Sequence, residues 1–358
     1  MPSPAPLTPD VRLIAFYLPQ FHPIPENDAW WGKGFTEWTS VVQACPLFPG
    51  HYQPHLPADL GFYDLRVAES RTAQAELARE YGVYGFCYYH YWFAGKRLLE
   101  RPLNDVLRLG QPQFPFCICW ANETWTRRWD GSNNEILIEQ KHDAATDAAF
   151  MHDLLPYLAD PRYIRIHGRP LVLVYRIDLF PEPQRTAALW RDIAINAGVG
   201  DPYLVQVESF SITGDPMANG FDAAVEFPGH QIPKAAVMNV DPGVPTFKGR
   251  KFDYLTYARF MARRPDPAYR RFRSVMPAWD NTARMRERAG LFVGSSPEIY
   301  QAWLREAVGR TRNKAAGDER VVFINAWNEW GEGCHLEPDL HYGRQYLEAT
   351  RAALIVGN

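Results

Sequence analysis

Cysteine is scarce in this chain of 358 residues: Cys45, Cys87, Cys117, Cys119 and Cys334 are odd in number and show no C-x-x-C spacing. That excludes a disulfide framework and a cysteine-built zinc site. Cys117 and Cys119 stand two apart in an apolar run and read as buried free thiols, which fits a reducing compartment. Neither sign of charge is in excess, with 38 Lys and Arg against 41 Asp and Glu for a net charge of -3, so there is no electrostatic footprint for nucleic acid or anionic lipid. No run approaches the roughly 18 uninterrupted apolar residues of a membrane span, so no membrane insertion is expected. The first ten residues have neither a basic nor an apolar region, so no secretory signal is expected. A cytoplasmic location is the expectation, or a periplasmic one if the chain is trimmed.

What the chain does have is aromatic weight: 12 Trp, 18 Tyr and 20 Phe make 14% of it, alongside an ordinary 46% apolar and 22% charged content. The length admits two domains or one large barrel. Eight short β-rich runs bounded by turn residues recur, at 13–18, 84–89, 116–120, 171–175, 203–207, 223–227, 274–278 and 321–326. Most are continuously apolar, the mark of parallel strands buried on both faces. Helical patterns at 65–81, 98–109, 145–158, 186–196, 254–262 and 297–309 fall between them, and a last one at 343–354 follows; only 208–222 lacks an evident helix.

Eightfold alternation predicts a single (β/α)8 TIM barrel spanning 1–358, with the first and last strands adjacent. An open doubly wound sheet is the rival, but no glycine-rich phosphate loop follows the first strand. The connections at 19–64 and 228–252 are far longer than usual βα loops, and in a barrel they cover the C-terminal face where active sites sit.

The residues just past each strand are polar and aromatic. They include Tyr17, Gln20 and His22, then Tyr89, His90 and Trp92, then Trp120, Asn122 and Glu123. Tyr175, Glu208, Glu226, Trp279, Asp280, Trp327 and Asn328 follow, and Trp38 stands in the first long loop. Rings beside amides and carboxylates suit a sugar, whose apolar faces stack on aromatics while its hydroxyls form hydrogen bonds. An oligosaccharide or polysaccharide is therefore the expected partner. Glu123 reads either as an acid or as an ion pair with Arg127 or Arg128, and Glu208 and Glu226 read equally as substrate contacts or rim ion pairs. His22 and His90 have no second ligand at metal spacing, so no metal and no cofactor is expected.

The densest signal is the string Asn325 to Asp339, in which Glu329 and Glu332 stand three apart after the last strand, between tryptophans. Two close carboxylates push their proton affinities apart and so create an acid and a base. They are expected to share one cavity with Trp92, Trp120 and Glu123. Glu123 with Glu208 or Glu226 is the fallback pair.

Five strings carry a resemblance: Ala15-Phe-Tyr-Leu-Pro-Gln-Phe-His-Pro23, Trp30-Trp-Gly-Lys-Gly-Phe-Thr-Glu-Trp38, Gly85-Phe-Cys-Tyr-Tyr-His-Tyr-Trp-Phe93, Trp120-Ala-Asn-Glu-Thr-Trp125 and Asn325-Ala-Trp-Asn-Glu-Trp-Gly-Glu-Gly333. Through them the chain resembles the glycoside hydrolase family 99-like proteins, often labelled WbsX-type glycosyltransferases and linked to lipopolysaccharide and exopolysaccharide clusters. The resemblance implies a (β/α)8 barrel and a retaining, metal-independent hydrolysis of α-linked sugars. It implies Glu329 as the base on the sugar's own 2-hydroxyl, giving a 1,2-anhydro sugar, and Glu332 as the acid. Outside the last string the likeness is closer to the WbsX type than to the family 99 mannosidases. The rival functions are a glycosyltransferase, against which stands the lack of a D-x-D pair, and a non-catalytic carbohydrate-binding barrel, which leaves two close carboxylates unexplained.

Overall fold

Among the residues described by the computed structural model, 10–127, 135–238 and 247–355, eight parallel strands close into a barrel. They are β1 (Arg12–Tyr17), β2 (Val83–Phe93), β3 (Phe116–Trp120), β4 (Arg169–Val174), β5 (Tyr203–Glu208), β6 (Ala223–Glu226), β7 (Arg271–Val275) and β8 (Val321–Ile324). Each pairs with its neighbours in chain order. β1 closes the ring, with Leu13 opposite Val322 on β8 and Ile14 opposite Gly85 on β2. The strands are almost wholly buried because side chains alternate between the barrel axis and the surrounding helices. The segment at 1–9, read above for a targeting signal, lies outside the described residues, as do Arg128 and part of the second long loop.

The helices are α1 (Ala68–Glu80), α2 (Arg101–Leu109), α3 (Ala144–Leu158), α4 (Pro183–Asn196), α5 (Tyr254–Arg263), α6 (Pro297–Lys314) and α7 (Gln345–Leu354). The connection from β5 to β6 holds only a short 3-10 turn, Pro216–Asn219, as its sequence suggests. α6 runs five residues past its expected end at Gly309. Tyr300, Trp303, Leu304, Ala307, Val308 and Thr311 form one buried stripe, and packing on both sides of Gly309 outweighs the roughly 1 kcal/mol that a mid-helix glycine costs. No helix among the described residues is long and apolar enough to cross a membrane.

Four loops cover the C-terminal ends of the strands. The loop after β1 contains two short helices, Pro25–Trp31 and Glu37–Val42. In the loops after β6 and β7, Arg250–Asp253 pairs with Gly290–Val293. That pairing anchors the segment carrying the one-turn helix Thr282–Met285. After β8 the chain makes a tight hairpin, Asn328 opposite His335 and Glu329 opposite Cys334.

Candidate active site

The hairpin after β8 is fixed before any ligand is considered. The Asn328 side chain accepts from the Leu18 N–H at 2.7 Å and donates to the Leu18 carbonyl at 3.0 Å, which fastens the hairpin to the end of β1. Gly333 turns the chain at φ +55°, a left-handed conformation that favours glycine. The backbone N–H of Asp280 donates to the Glu332 carbonyl at 2.6 Å, which ties the loop after β7 to the same turn. Trp330 is sealed beneath by Trp38, and its Nε1–H donates to Glu337 at 2.6 Å.

On this frame Glu329 and Glu332 both accept from one buried guanidinium. Arg284 donates from Nη2 to Glu329 at 2.9 Å, from Nη1 to Glu332 at 2.7 Å, and from Nε to a third carboxylate, Glu37, at 2.7 Å. Three carboxylates around one cation carry a net charge of two minus if all ionise, and burial opposes that. Glu329 is accordingly pushed up to about 8, by burial first and then by Glu332 and Glu37, with Arg284 pulling the other way. Glu332, the more open of the two, is raised as well, by burial first and then by Glu37, with Arg284 again opposing. At neutral pH the pair is therefore built to hold a proton, as an acid and base working together require.

A cavity of about 250 Å³ meets this centre at Glu37 and Arg284, and its lining also includes Gln20, Trp31, Phe35 and Trp125. Glu329 and Glu332 adjoin it through Arg284, and neither they nor Glu123 are among its lining residues. The buried hydroxyls of Tyr89 and Tyr91 feel the charge of Glu329, and that of Tyr175 feels Glu123 and Glu332. Gln20 sits beside Tyr91. Of the residues proposed from sequence, the structure thus gathers Glu329, Glu332, Gln20, Tyr89, Tyr175 and, at the edge, half-buried Glu123. Glu123 pairs with Arg176; of the two arginines read as its alternative partners, Arg127 pairs with Glu135 and Arg128 lies outside the described residues.

The remaining expectations are corrected. Trp92 and Trp120 do not share the cavity: both are buried in the outer layer, where Trp120 stacks on Phe150 of α3 at 3.7 Å. His90 bonds Asp153 of α3 at 3.2 Å, and the Tyr17 hydroxyl donates to Gln74 of α1 at 2.7 Å. Glu208 and Glu226 face the same outer side and are neutralised by Arg264, Arg271 and Arg273. Asn122 holds the Arg176 backbone through both its amide atoms. Asn328 is the hairpin staple described above. Trp327 is fully buried against Phe86, and Trp38 donates to the Tyr63 carbonyl at 2.9 Å within the loop layer. His22 is buried away from the glutamates, near Asp64, Arg66 and Arg101, and burial pushes it down to about 4.

Trp279 and Asp280 line a second cavity, of about 300 Å³, where Asp280 bonds His51 at 2.6 Å. Burial holds two histidines of that cavity neutral, His55 down at about 3 and His335 lowered as well. With Asp339 these two form a group of metal-ligand type. The expectation of no metal looked only around His22 and His90. Residues 55 and 335 come together through the fold alone.

Sequence reasoning missed Glu37 and Arg284. Glu37 lies inside a string that carried the resemblance. Arg284 had no local signal beyond standing four residues after Asp280.

A closed (β/α)8 barrel with paired buried glutamates at its C-terminal mouth defines a protein of glycoside hydrolase-like fold. The chain belongs to the WbsX glycosyltransferase family, whose model, Glycosyltransferase WbsX, matches residues 13–350. It is 49% identical over 350 residues to the "Uncharacterized protein WxcX" of Xanthomonas campestris pv. campestris strain B100, a match covering 98% of this chain and 50% of the relative. The counterpart in strain ATCC 33913 matches equally. The chain thus spans about half the length of the curated relatives it matches.

Among solved structures, a "Glycoside hydrolase-like protein" superposes with a TM-score of 0.62 at 14% identity, over 100% of this chain and 98% of the other. The GH99 endo-alpha-mannosidase from Bacteroides thetaiotaomicron gives 0.58 at 15% identity, over 97% of each chain. At such identities the likeness is one of fold.

Proposed function

We propose that the protein hydrolyses α-linked glycosidic bonds in a microbial poly- or oligosaccharide, with Glu329 as base and Glu332 as acid. The observation that carries this is the fork of Arg284 between the two raised glutamates beside an aromatic-lined cavity. Glu329 takes the proton of the sugar's 2-hydroxyl, and the freed oxygen attacks the anomeric carbon to close a 1,2-anhydro ring. Glu332 gives its proton to the departing oxygen. Water then opens the ring, Glu332 taking its proton back from the water while Glu329 returns its own to the 2-oxygen, so the sugar keeps its configuration. The high proton affinity of Glu329 suits a base that must act on a weakly acidic hydroxyl. The two carboxylates supply every proton transfer between them. Trp31, Phe35 and Trp125 give the sugar faces to stack on, and Gln20 a partner for a hydroxyl.

The family name favours a second reading, transfer from a sugar nucleotide. The separating experiment is incubation with a panel of α-linked oligosaccharides and polysaccharides, with and without sugar nucleotides. Release of reducing ends without nucleotide supports hydrolysis, whereas product formed only when nucleotide is present supports transfer. A 2-fluoro sugar with a good leaving group tests the mechanism. The internal nucleophile is then missing, so no covalent adduct on Glu329 is expected by mass spectrometry, and an adduct would make Glu329 a direct nucleophile.

A further inference from the structure

We propose that His55, His335 and Asp339 bind one divalent first-row transition-metal ion, with a further coordination position open to the 300 Å³ cavity beside them. His55 Nδ1 and His335 Nε2 stand 3.0 Å apart, His335 Nε2 and Asp339 Oδ2 3.9 Å apart, and the three ligand atoms all lie within 4.8 Å of one another. An ion with bonds of about 2.0–2.1 Å in tetrahedral geometry sets its ligands roughly 3.3 Å apart, so the set closes on an ion with small movements.

Each ligand is also held from behind, as metal ligands are. His335 donates from Nδ1 to the Glu337 carbonyl at 2.9 Å, which leaves the Nε2 lone pair facing the cluster, and its ring lies on Trp330 at 3.7 Å. The His55 ring stacks on Tyr52 at 4.2 Å. Asp339 spends Oδ1 on the backbone N–H groups of His341 and Tyr342, stands beside the Tyr52 hydroxyl, and turns Oδ2 toward His335 Nε2. In the metal-free protein His55 and His335 share a proton in their hydrogen bond. Binding leaves that proton on Nε2 of His55, a change of tautomer without net release. Two imidazoles and one carboxylate select zinc, iron, cobalt or nickel over magnesium or calcium, which take all-oxygen sets.

The ion would fasten residues 52–55 to 335–339. That is the far side of the hairpin carrying Glu329 and Glu332, so the site is separate from the proposed chemistry and stands without it.

The test uses the full chain, stripped with a chelator and dialysed against zinc or cobalt(II), with magnesium as control. The expected result is one zinc per chain by elemental analysis, and visible ligand-field bands of a nitrogen-ligated, low-coordinate cobalt centre. Magnesium should not bind. Asp339→Asn keeps the acceptor for the two backbone N–H groups, so it should fold while losing more affinity than the about 10–100-fold that a supporting group is worth. His335→Ala should abolish the cobalt bands, and His22→Ala, at a buried histidine outside the cluster, should keep them. No zinc binding by the wild-type chain would overturn the proposal. Binding that survives both Asp339→Asn and His335→Ala, or a cobalt spectrum of an all-oxygen octahedral site, would do the same.

Discussion

Gly331 sits between the two glutamates, and its φ lies outside the left-handed region, so its backbone accepts alanine. The obstacle is space. A Cβ there would stand 1.7 Å from Glu37 Oε1 and 2.8 Å from Arg284 Nε, whereas real Cβ contacts essentially never fall under 3.0 Å, so the Glu37 carboxylate must retreat by at least 1.3 Å. That retreat breaks its 2.7 Å bond to Arg284, the group that aims Glu329 and Glu332. A misplacement of about 1 Å at reacting groups costs on the order of a hundredfold. A lost hydrogen bond to a charged group is worth about 1.5–3 kcal/mol, or roughly 10–150-fold, so both routes give a similar figure. Gly331→Ala should therefore lower kcat/KM on a hydrolysable α-linked substrate by about a hundredfold, with circular dichroism and Tm close to wild type because the Glu37 side chain yields before the barrel does. The assay is a double-mutant cycle with Glu37→Ala. Once the offending oxygen is gone, adding Gly331→Ala should cost little more. Near-normal kcat/KM in Gly331→Ala, or an undiminished cost in the Glu37→Ala background, would refute the reasoning.

Three further outcomes follow from the same geometry. Catalysis needs the pair's single proton on Glu332 with Glu329 ionised, and the coupled pair gives up its last proton near the value of about 8 to which Glu329 is raised, so kcat/KM should fall as pH rises through about 8. A pH profile flat from 7 to 10 contradicts this. Glu329→Gln and Glu332→Gln should each cost about a hundredfold to ten-thousandfold with folding intact, but only the Glu332→Gln loss should shrink on aryl glycosides whose leaving group needs no acid. Equal losses on both substrate classes would undo the assignment of roles. Glu337 accepts from Trp330, Tyr63 and Gln74 at 2.6, 2.7 and 2.7 Å. Glu337→Ala strands those buried donors at about 1–3 kcal/mol each, which urea denaturation would register as a lowered midpoint, and an unchanged midpoint would show the donors find other partners.

The barrel was legible in the sequence because strands buried on both faces read as unbroken apolar runs such as Phe116 to Trp120. Helices with strong stripes announced themselves between them. The site was harder for a reason that strand geometry supplies. Successive side chains point to opposite faces, so a list of residues at strand ends mixes those facing the axis with those facing the helices. On β2, Tyr89 and Tyr91 turn toward Glu329, while His90 and Trp92, which alternate with them, pack on α3. On β5 and β6, Glu208 and Glu226 stand opposite each other on the outer side and meet arginines. Glu329 and Glu332 were legible because a tight hairpin, not an alternating strand, carries both. Glu37 and Arg284, 247 residues apart, are joined only when three loops converge, and no local pattern encodes that.

The convergence also says where the site is vulnerable. The barrel strands contribute Tyr89 and Tyr91, but the charged groups come from three loops: Glu37 after β1, Arg284 after β7, and Glu329 and Glu332 after β8. Their mutual placement depends on contacts between loops, namely the Asn328 staple to Leu18, the Asp280 N–H on Glu332, and the pairing of Arg250–Asp253 with Gly290–Val293. None of these is needed to close the eight strands. Changes in the loop layer can therefore separate the carboxylates from their arginine while the barrel keeps its stability, whereas changes among the strand residues that face the helices, such as Trp120, act on stability first. A substitution's effect on this protein is thus set less by its distance from Glu329 than by whether it lies on a loop that carries part of the Arg284 fork.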